Sequence, residues 1–135
     1  MTAELAGNQW DLKRMAGALG AEVRGIKLAS ADEGDRAEIK RLLVKHMVLF
    51  FPEQYMTQDE HVAFGKPFGP LEGHPNLSDK NVAQHPEIFQ LVASEGGIAD
   101  EWHTDLTFQA QPALTSILNM VKCPETGGDT MWSNA

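Results

Sequence analysis

A chain of 135 residues, 42% hydrophobic and 22% charged, has the length of one domain or of part of a larger one, and enough apolar material for a core, which excludes wholesale disorder. A net charge of -8 with no cluster of Lys or Arg argues against nucleic-acid partners and against anionic membrane surfaces. The single cysteine, Cys123, excludes a disulfide framework within the chain and any all-cysteine metal site, so a reducing, cytoplasmic setting is expected.

Met1 to Trp10 contains Glu4 and no apolar run, unlike a secretory signal. From Leu19 to Leu28 the chain reads LGAEVRGIKL. Gly20 and Gly25 bracket a short alternating stretch, which predicts two short strands around a turn. Ser30-Ala-Asp-Glu33 fits a capping box with Ser30 as the N-cap. Ile39, Leu42, Leu43 and His46 follow at helical spacing, predicting a helix from about Asp32 to Lys45 with His46 on its apolar face. The continuous apolar run Met47 to Phe51, stopped by Pro52, predicts a buried strand and is far too short to span a bilayer.

Thr57 to Glu60 is a second capping-box match and opens a short helix to about Phe64, ended by Gly65 and Pro67. Gly69 to Pro86, rich in Gly, Pro, Asn and Asp and carrying His74 and His85, predicts a long loop, of a length that usually serves function or motion. Strands are expected at Ile88 to Ala93, at Leu114 to Val121 and from Thr130 to Trp132, with a polar loop from Ser94 to Glu101. Short strands with two early helices indicate a mainly β fold of barrel or jelly-roll type with helices outside.

The chemistry is concentrated in Glu101-Trp-His-Thr-Asp-Leu-Thr-Phe108. In an extended segment, residues i and i+2 share a face, so His103 and Asp105 can present an imidazole nitrogen and a carboxylate oxygen to one metal. Two histidines and one carboxylate on one face of an octahedral ion is the arrangement of non-haem iron(II) oxygenases, which leaves three positions open. The pair alone also fits a surface histidine beside a turn aspartate. Trp102 and Phe108 are expected to pack as core around the pair. Gly127 and Gly128 are expected to turn the chain at positive φ, and Cys123 to act as a small apolar filler.

Several segments, in order, resemble the taurine dioxygenase (TauD/TfdA) family: LGAEVRGIKL, HMVLFFPEQ, FGPLEGHP, WHTDLTF and PETGGDTMW. The resemblance runs from about Leu19 onward. It implies an incomplete double-stranded β-helix, the jelly roll of 2-oxoglutarate oxygenases, flanked by helices, with residues 1–135 as the N-terminal part of one domain. It implies an iron(II)- and 2-oxoglutarate-dependent dioxygenase that uses O2 to hydroxylate a small anionic substrate: a sulfonate, an alkyl sulfate ester or an aryloxyalkanoate. 2-Oxoglutarate would be decarboxylated to succinate. His103 and Asp105 would be two of three iron ligands. Thr130 would hydrogen-bond the distal carboxylate of 2-oxoglutarate, although a β-branched residue also suits a plain strand. His74 would help hold the substrate's anionic group, although a histidine in such a loop is also at home in solvent.

Family members are about twice as long, with a second iron-ligating histidine and the arginine that pairs with 2-oxoglutarate in their C-terminal half. The isolated chain is therefore expected to be inactive, and the full-length protein a homo-oligomer. Two other readings stay open: a metal-binding relic without turnover, and a different metal enzyme on a similar barrel.

Overall fold

The computed structural model describes residues 4–5, 10–73, 81–82, 84–92 and 101–134. The described residues fall into two compact units, the first formed by residues 1–56 and 119–135 and the second by residues 57–118.

The first unit is built on a four-stranded mixed sheet in the order β1 (Glu4–Leu5), β2 (Asp11–Arg14), β3 (Ala21–Arg24), β4 (Leu49–Phe50). The first two pairings are antiparallel and the third is parallel. Leu12 lies opposite Val23 in the β2–β3 ladder, and both are buried. In β3, Ala21 and Val23 point to the core while Glu22 and Arg24 do not, the alternation a half-buried strand requires. The turn between β2 and β3 closes where the Met15 N–H donates to the Gly20 carbonyl at 2.9 Å. Gly20 sits at φ 90°, a region that strains any side chain.

Only one of the two strands expected between Leu19 and Leu28 forms. After Gly25, at φ 89°, the backbone finds its partners in a single side chain. The Leu28 N–H donates to Gln54 Oε1 at 2.9 Å, and Gln54 Nε2 donates to the carbonyls of Ile26 and Pro52 at 3.0 and 3.1 Å. One carboxamide thus satisfies backbone groups that a neighbouring strand would otherwise bond, and no ladder is needed. Leu28–Ser30 then forms a 3-10 turn.

Helix α1 spans Glu33–His46, close to the expected range, but its cap differs. Asp32, not Ser30, is the N-cap. Asp32 Oδ1 accepts from the Asp35 N–H at 2.8 Å and Asp35 Oδ2 accepts from the Asp32 N–H at 3.1 Å. Ser30 is unsuitable because its hydroxyl points back into the 3-10 turn, donating to the Lys27 carbonyl at 3.3 Å. Ile39, Leu42 and His46 form the buried stripe of the helix, at the spacing of successive turns. The chain leaves α1 through Met47 at φ 65° and enters β4 directly. The Gly20 and Ala21 N–H groups reach the carbonyls of His46 and Val48, so the helix exit and the start of β3 are tied together.

The second unit opens with α2 (Gln58–Gly65), whose capping box is the one expected. Thr57 Oγ1 accepts from the Glu60 N–H at 3.2 Å, and Glu60 Oε2 accepts from the Thr57 N–H at 2.8 Å. Replacing Thr57 with alanine should lower stability by about 1 kcal/mol, read as a shift of the urea midpoint at unchanged slope. Val62 and Phe64 are buried, and Phe64 packs on Phe68 with ring centroids 5.3 Å apart. A 3-10 turn at Lys66–Phe68, with Pro67 near its start, replaces the next turn of helix.

The expected loop to Pro86 is interrupted earlier. β5 (Asn81–Val82) pairs antiparallel with β6 (His85–Phe89), so His85 and Pro86 lie in a strand. His85 is held there by Asp59 of α2, with Nε2 2.9 Å from Oδ1, and by Glu87 at 3.9 Å. The strand expected at Ile88 to Ala93 is thus shifted towards the N-terminus; Ala93 itself and the polar loop to Asp100 lie outside the described residues. The strands expected at Leu114 to Val121 and Thr130 to Trp132 are not formed. A strand exists only through its ladder, and neither stretch has one among the described residues. Among the described residues no helix is long and apolar enough to cross a membrane.

Candidate metal centre

The segment carrying the His-x-Asp pair belongs to the second unit and runs without a ladder. Its shape comes from its own side chains and from a turn. Leu106 takes φ 52°, and the Gln109 N–H closes back on the Leu106 carbonyl at 3.0 Å. The hydroxyls of Thr104 and Thr107 are 2.6 Å apart and bond each other across the turn.

His103 Nδ1 lies 2.8 Å from the Glu101 carbonyl. A carbonyl only accepts, so Nδ1 carries the proton, and in the neutral ring Nε2 is left with its lone pair. That nitrogen faces Asp105 Oδ1 at 3.4 Å. The other carboxylate oxygen, Oδ2, accepts from Ser116 Oγ at 2.8 Å. Both side chains are open to solvent, His103 at 59% and Asp105 at 61% of full exposure, so a ligand can reach the pair.

The donor set fits a divalent transition ion. It combines one imidazole lone pair with one anionic oxygen, and adjacent ligands about 2.1 Å from an octahedral ion lie about 3 Å apart. The observed spacing is within a few tenths of an ångström of that. Among the described residues no group of three His, Cys, Asp or Glu converges.

The other expected site residues are placed less fully. Thr130 belongs to the first unit, in an exposed, irregular stretch that follows Gly127 at φ 76° and Gly128 at φ 72°. Both glycines take the positive φ expected of them. A Cβ on Gly128 would come within 3.3 Å of the Pro124 ring, a second reason for its lack of a side chain. His74 lies outside the described residues.

Two expectations about the surroundings are corrected. Trp102 and Phe108 are not core: they are 70% and 75% exposed, because no described residue covers them. Cys123 is exposed and not an apolar filler. Buried His46, by contrast, is the structural residue its place on the helix suggested.

Sequence reading missed Ser116 and His61. His61 Nε2 donates to the Ile117 carbonyl at 3.1 Å, next to the serine that bonds Asp105. Neither residue stands at metal-ligand spacing from the pair. No sequence pattern marked Ser116, because polar and apolar residues do not alternate from Leu114 to Leu118; the alternation lies in their burial.

The family model described as "Taurine catabolism dioxygenase TauD, TfdA family" matches residues 11–135. An alkylsulfatase of Acinetobacter baylyi is 37% identical over 128 residues, covering 93% of this chain and 40% of the relative. An alpha-ketoglutarate-dependent sulfate ester dioxygenase of Pseudomonas putida is 36% identical over 126 residues, covering 92% of this chain and 41% of its own length. The solved structure of a taurine dioxygenase from Burkholderia xenovorans superposes with a TM-score of 0.53 at 36% identity, over 59% of this chain and 29% of that one. The chain thus spans about 40% of the length of these curated relatives. With its match reaching from β2 through the His-x-Asp segment to the Gly-Gly-Asp-Thr stretch, the chain belongs to the TauD, TfdA family of dioxygenases.

Proposed function

We propose that this chain is the N-terminal part of a single jelly-roll dioxygenase domain that uses iron(II), 2-oxoglutarate and O2 to hydroxylate a small anionic substrate. The observation that carries the reading is the pairing of His103 Nε2 with Asp105 Oδ1 at 3.4 Å inside the family match. The substrate class follows from the relatives, whose names specify sulfate esters, alkyl sulfates and, for one 37% identical protein of Cupriavidus pinatubonensis, 2,4-dichlorophenoxyacetate. Sulfate esters are the first choice, because the two relatives named for them are 37% and 36% identical over more than nine-tenths of this chain, against 26% for a sulfonate dioxygenase of similar coverage.

His103 and Asp105 would hold the iron, together with a third ligand from the rest of the domain. Bound iron would let O2 act as the oxidant, with one oxygen atom entering a substrate C–H bond to give an alcohol and the other entering succinate as 2-oxoglutarate loses CO2. The Glu101 carbonyl keeps the proton on Nδ1 and so leaves Nε2 free to bind metal. Asp105 contributes negative charge that offsets that of the cation. By the family resemblance, the Thr130 hydroxyl would donate to the distal carboxylate of 2-oxoglutarate, and His74 would donate to the substrate's anionic group. Leu114, Leu118, Trp102 and Phe108 are exposed apolar residues that the remainder of the domain would cover. A cytoplasmic homo-oligomer is in keeping with its single free cysteine and with the resemblance to its family.

The test is to supply the full-length protein with iron(II), ascorbate, 2-oxoglutarate and, in turn, alkyl sulfate esters, sulfonates and aryloxyalkanoates. Succinate should form in step with loss of at least one of them. No succinate with any would remove the substrate class, and iron binding without any decarboxylation of 2-oxoglutarate would identify a non-catalytic metal binder.

A further inference from the structure

We infer that Ser116 is a positioning residue that fixes which oxygen of Asp105 faces the metal. The inference rests on the metal reading of the His103–Asp105 pair and goes beyond it, because it concerns a residue eleven positions downstream that is no ligand. A carboxylate turns easily about its last bond, since that torsion is broad and two-fold. On an exposed aspartate, nothing in the residue itself decides whether Oδ1 or Oδ2 meets the ion. Here the two oxygens are already distinguished: Oδ1 faces His103 Nε2 at 3.4 Å, and Oδ2 accepts from Ser116 Oγ at 2.8 Å. A hydrogen bond to an ionised acceptor is about twice as strong as a neutral one, and its length falls in the range of a well-formed bond. By occupying Oδ2, the hydroxyl leaves one oxygen for the cation and so favours one-oxygen over two-oxygen binding.

Ser116 is delivered by the geometry of its own stretch. Thr115 and Ile117 are half-buried while Leu114, Ser116 and Leu118 are exposed, the alternation of extended backbone, which places the serine on the outer face. The register of that stretch is pinned from α2. His61 Nε2 donates to the Ile117 carbonyl at 3.1 Å, and the Ile117 side chain packs at Gly65, where an added Cβ would sit 3.6 Å from Ile117 Cδ1. A slip that put Ile117 where Ser116 now stands would leave Asp105 without its donor. α2 therefore orients a metal ligand through two intermediates, His61 to Ile117 and Ser116 to Asp105.

The experiment measures binding of iron(II) alone to the full-length protein by anaerobic equilibrium dialysis, with no turnover required. Ser116→Ala should raise the iron Kd about 10-fold or more, as loss of a partner behind a metal ligand does. Ser116→Thr and Ser116→Val have the same shape and differ in the hydroxyl, so the threonine variant should bind like the parent and the valine variant like the alanine one. Equal affinity in threonine and valine variants, or an unchanged Kd in the alanine variant, overturns the inference. Asp105→Ala serves as the reference. If it abolishes binding while Ser116→Ala leaves binding unchanged, Ser116 has no positioning role and the metal reading stands. If Asp105→Ala itself leaves binding unchanged, the metal reading falls with it.

Discussion

Alanine at His103 or at Asp105 is expected to weaken iron(II) binding to the full-length protein by at least about 100-fold and to reduce 2-oxoglutarate decarboxylation to background. Losing a partner behind a metal ligand already costs about 10- to 100-fold in affinity, and losing the ligand itself costs no less. The two replacements act differently. His103→Ala removes the neutral nitrogen whose lone pair is left free by the bond from Nδ1 to the Glu101 carbonyl. Asp105→Ala removes a negative charge as well as a donor atom, and leaves the Ser116 hydroxyl without its acceptor. Asp105→Asn separates these effects: it keeps the size and an oxygen but not the charge, and should bind iron far more weakly than the parent. Because both side chains are more than half exposed, none of these changes disturbs a core, and circular dichroism should be unaltered. Undiminished iron uptake in either alanine variant would end the assignment.

Leu42→Ala is expected to destabilise the protein by about 2–5 kcal/mol, the range for removing a fully buried leucine and leaving a cavity. Leu42 is 2% exposed and, with Val23, is one of the largest fully buried side chains among the described residues. It stands on α1 with Ile39 and His46, the stripe the helix turns inward. Val44, two positions along the same helix, is 75% exposed, and Val44→Ala should stay within about 0.5 kcal/mol of the parent. Urea unfolding of both variants, compared at the midpoint, gives the contrast directly. Similar shifts for both would mean that the inward face of α1 is misassigned.

Local chemistry was legible without coordinates wherever neighbours in sequence satisfy one another. The Thr57–Glu60 box, the positive φ of Gly127 and Gly128, and the inward His46 all follow from spacings of one to four residues and needed no distant partner. The cap of α1 shows the limit of that reading. Ser30-x-x-Glu33 and Asp32-x-x-Asp35 are both plausible boxes, and the choice was made by a 3-10 turn that had already engaged the Ser30 hydroxyl.

The family, the two helices and the proximity of His103 to Asp105 were legible in the sequence by itself. These depend on residue type and short spacing, which a chain carries with it before it folds. Tertiary structure alone decided the partners separated by many residues. Gln54 stands in for a missing strand beside Ile26 and Leu28, His61 pins Ile117, and Ser116 bonds Asp105. It likewise decided that the stretches around Leu118 and Met131 form no strand, because a ladder needs a second strand and no local pattern can supply one.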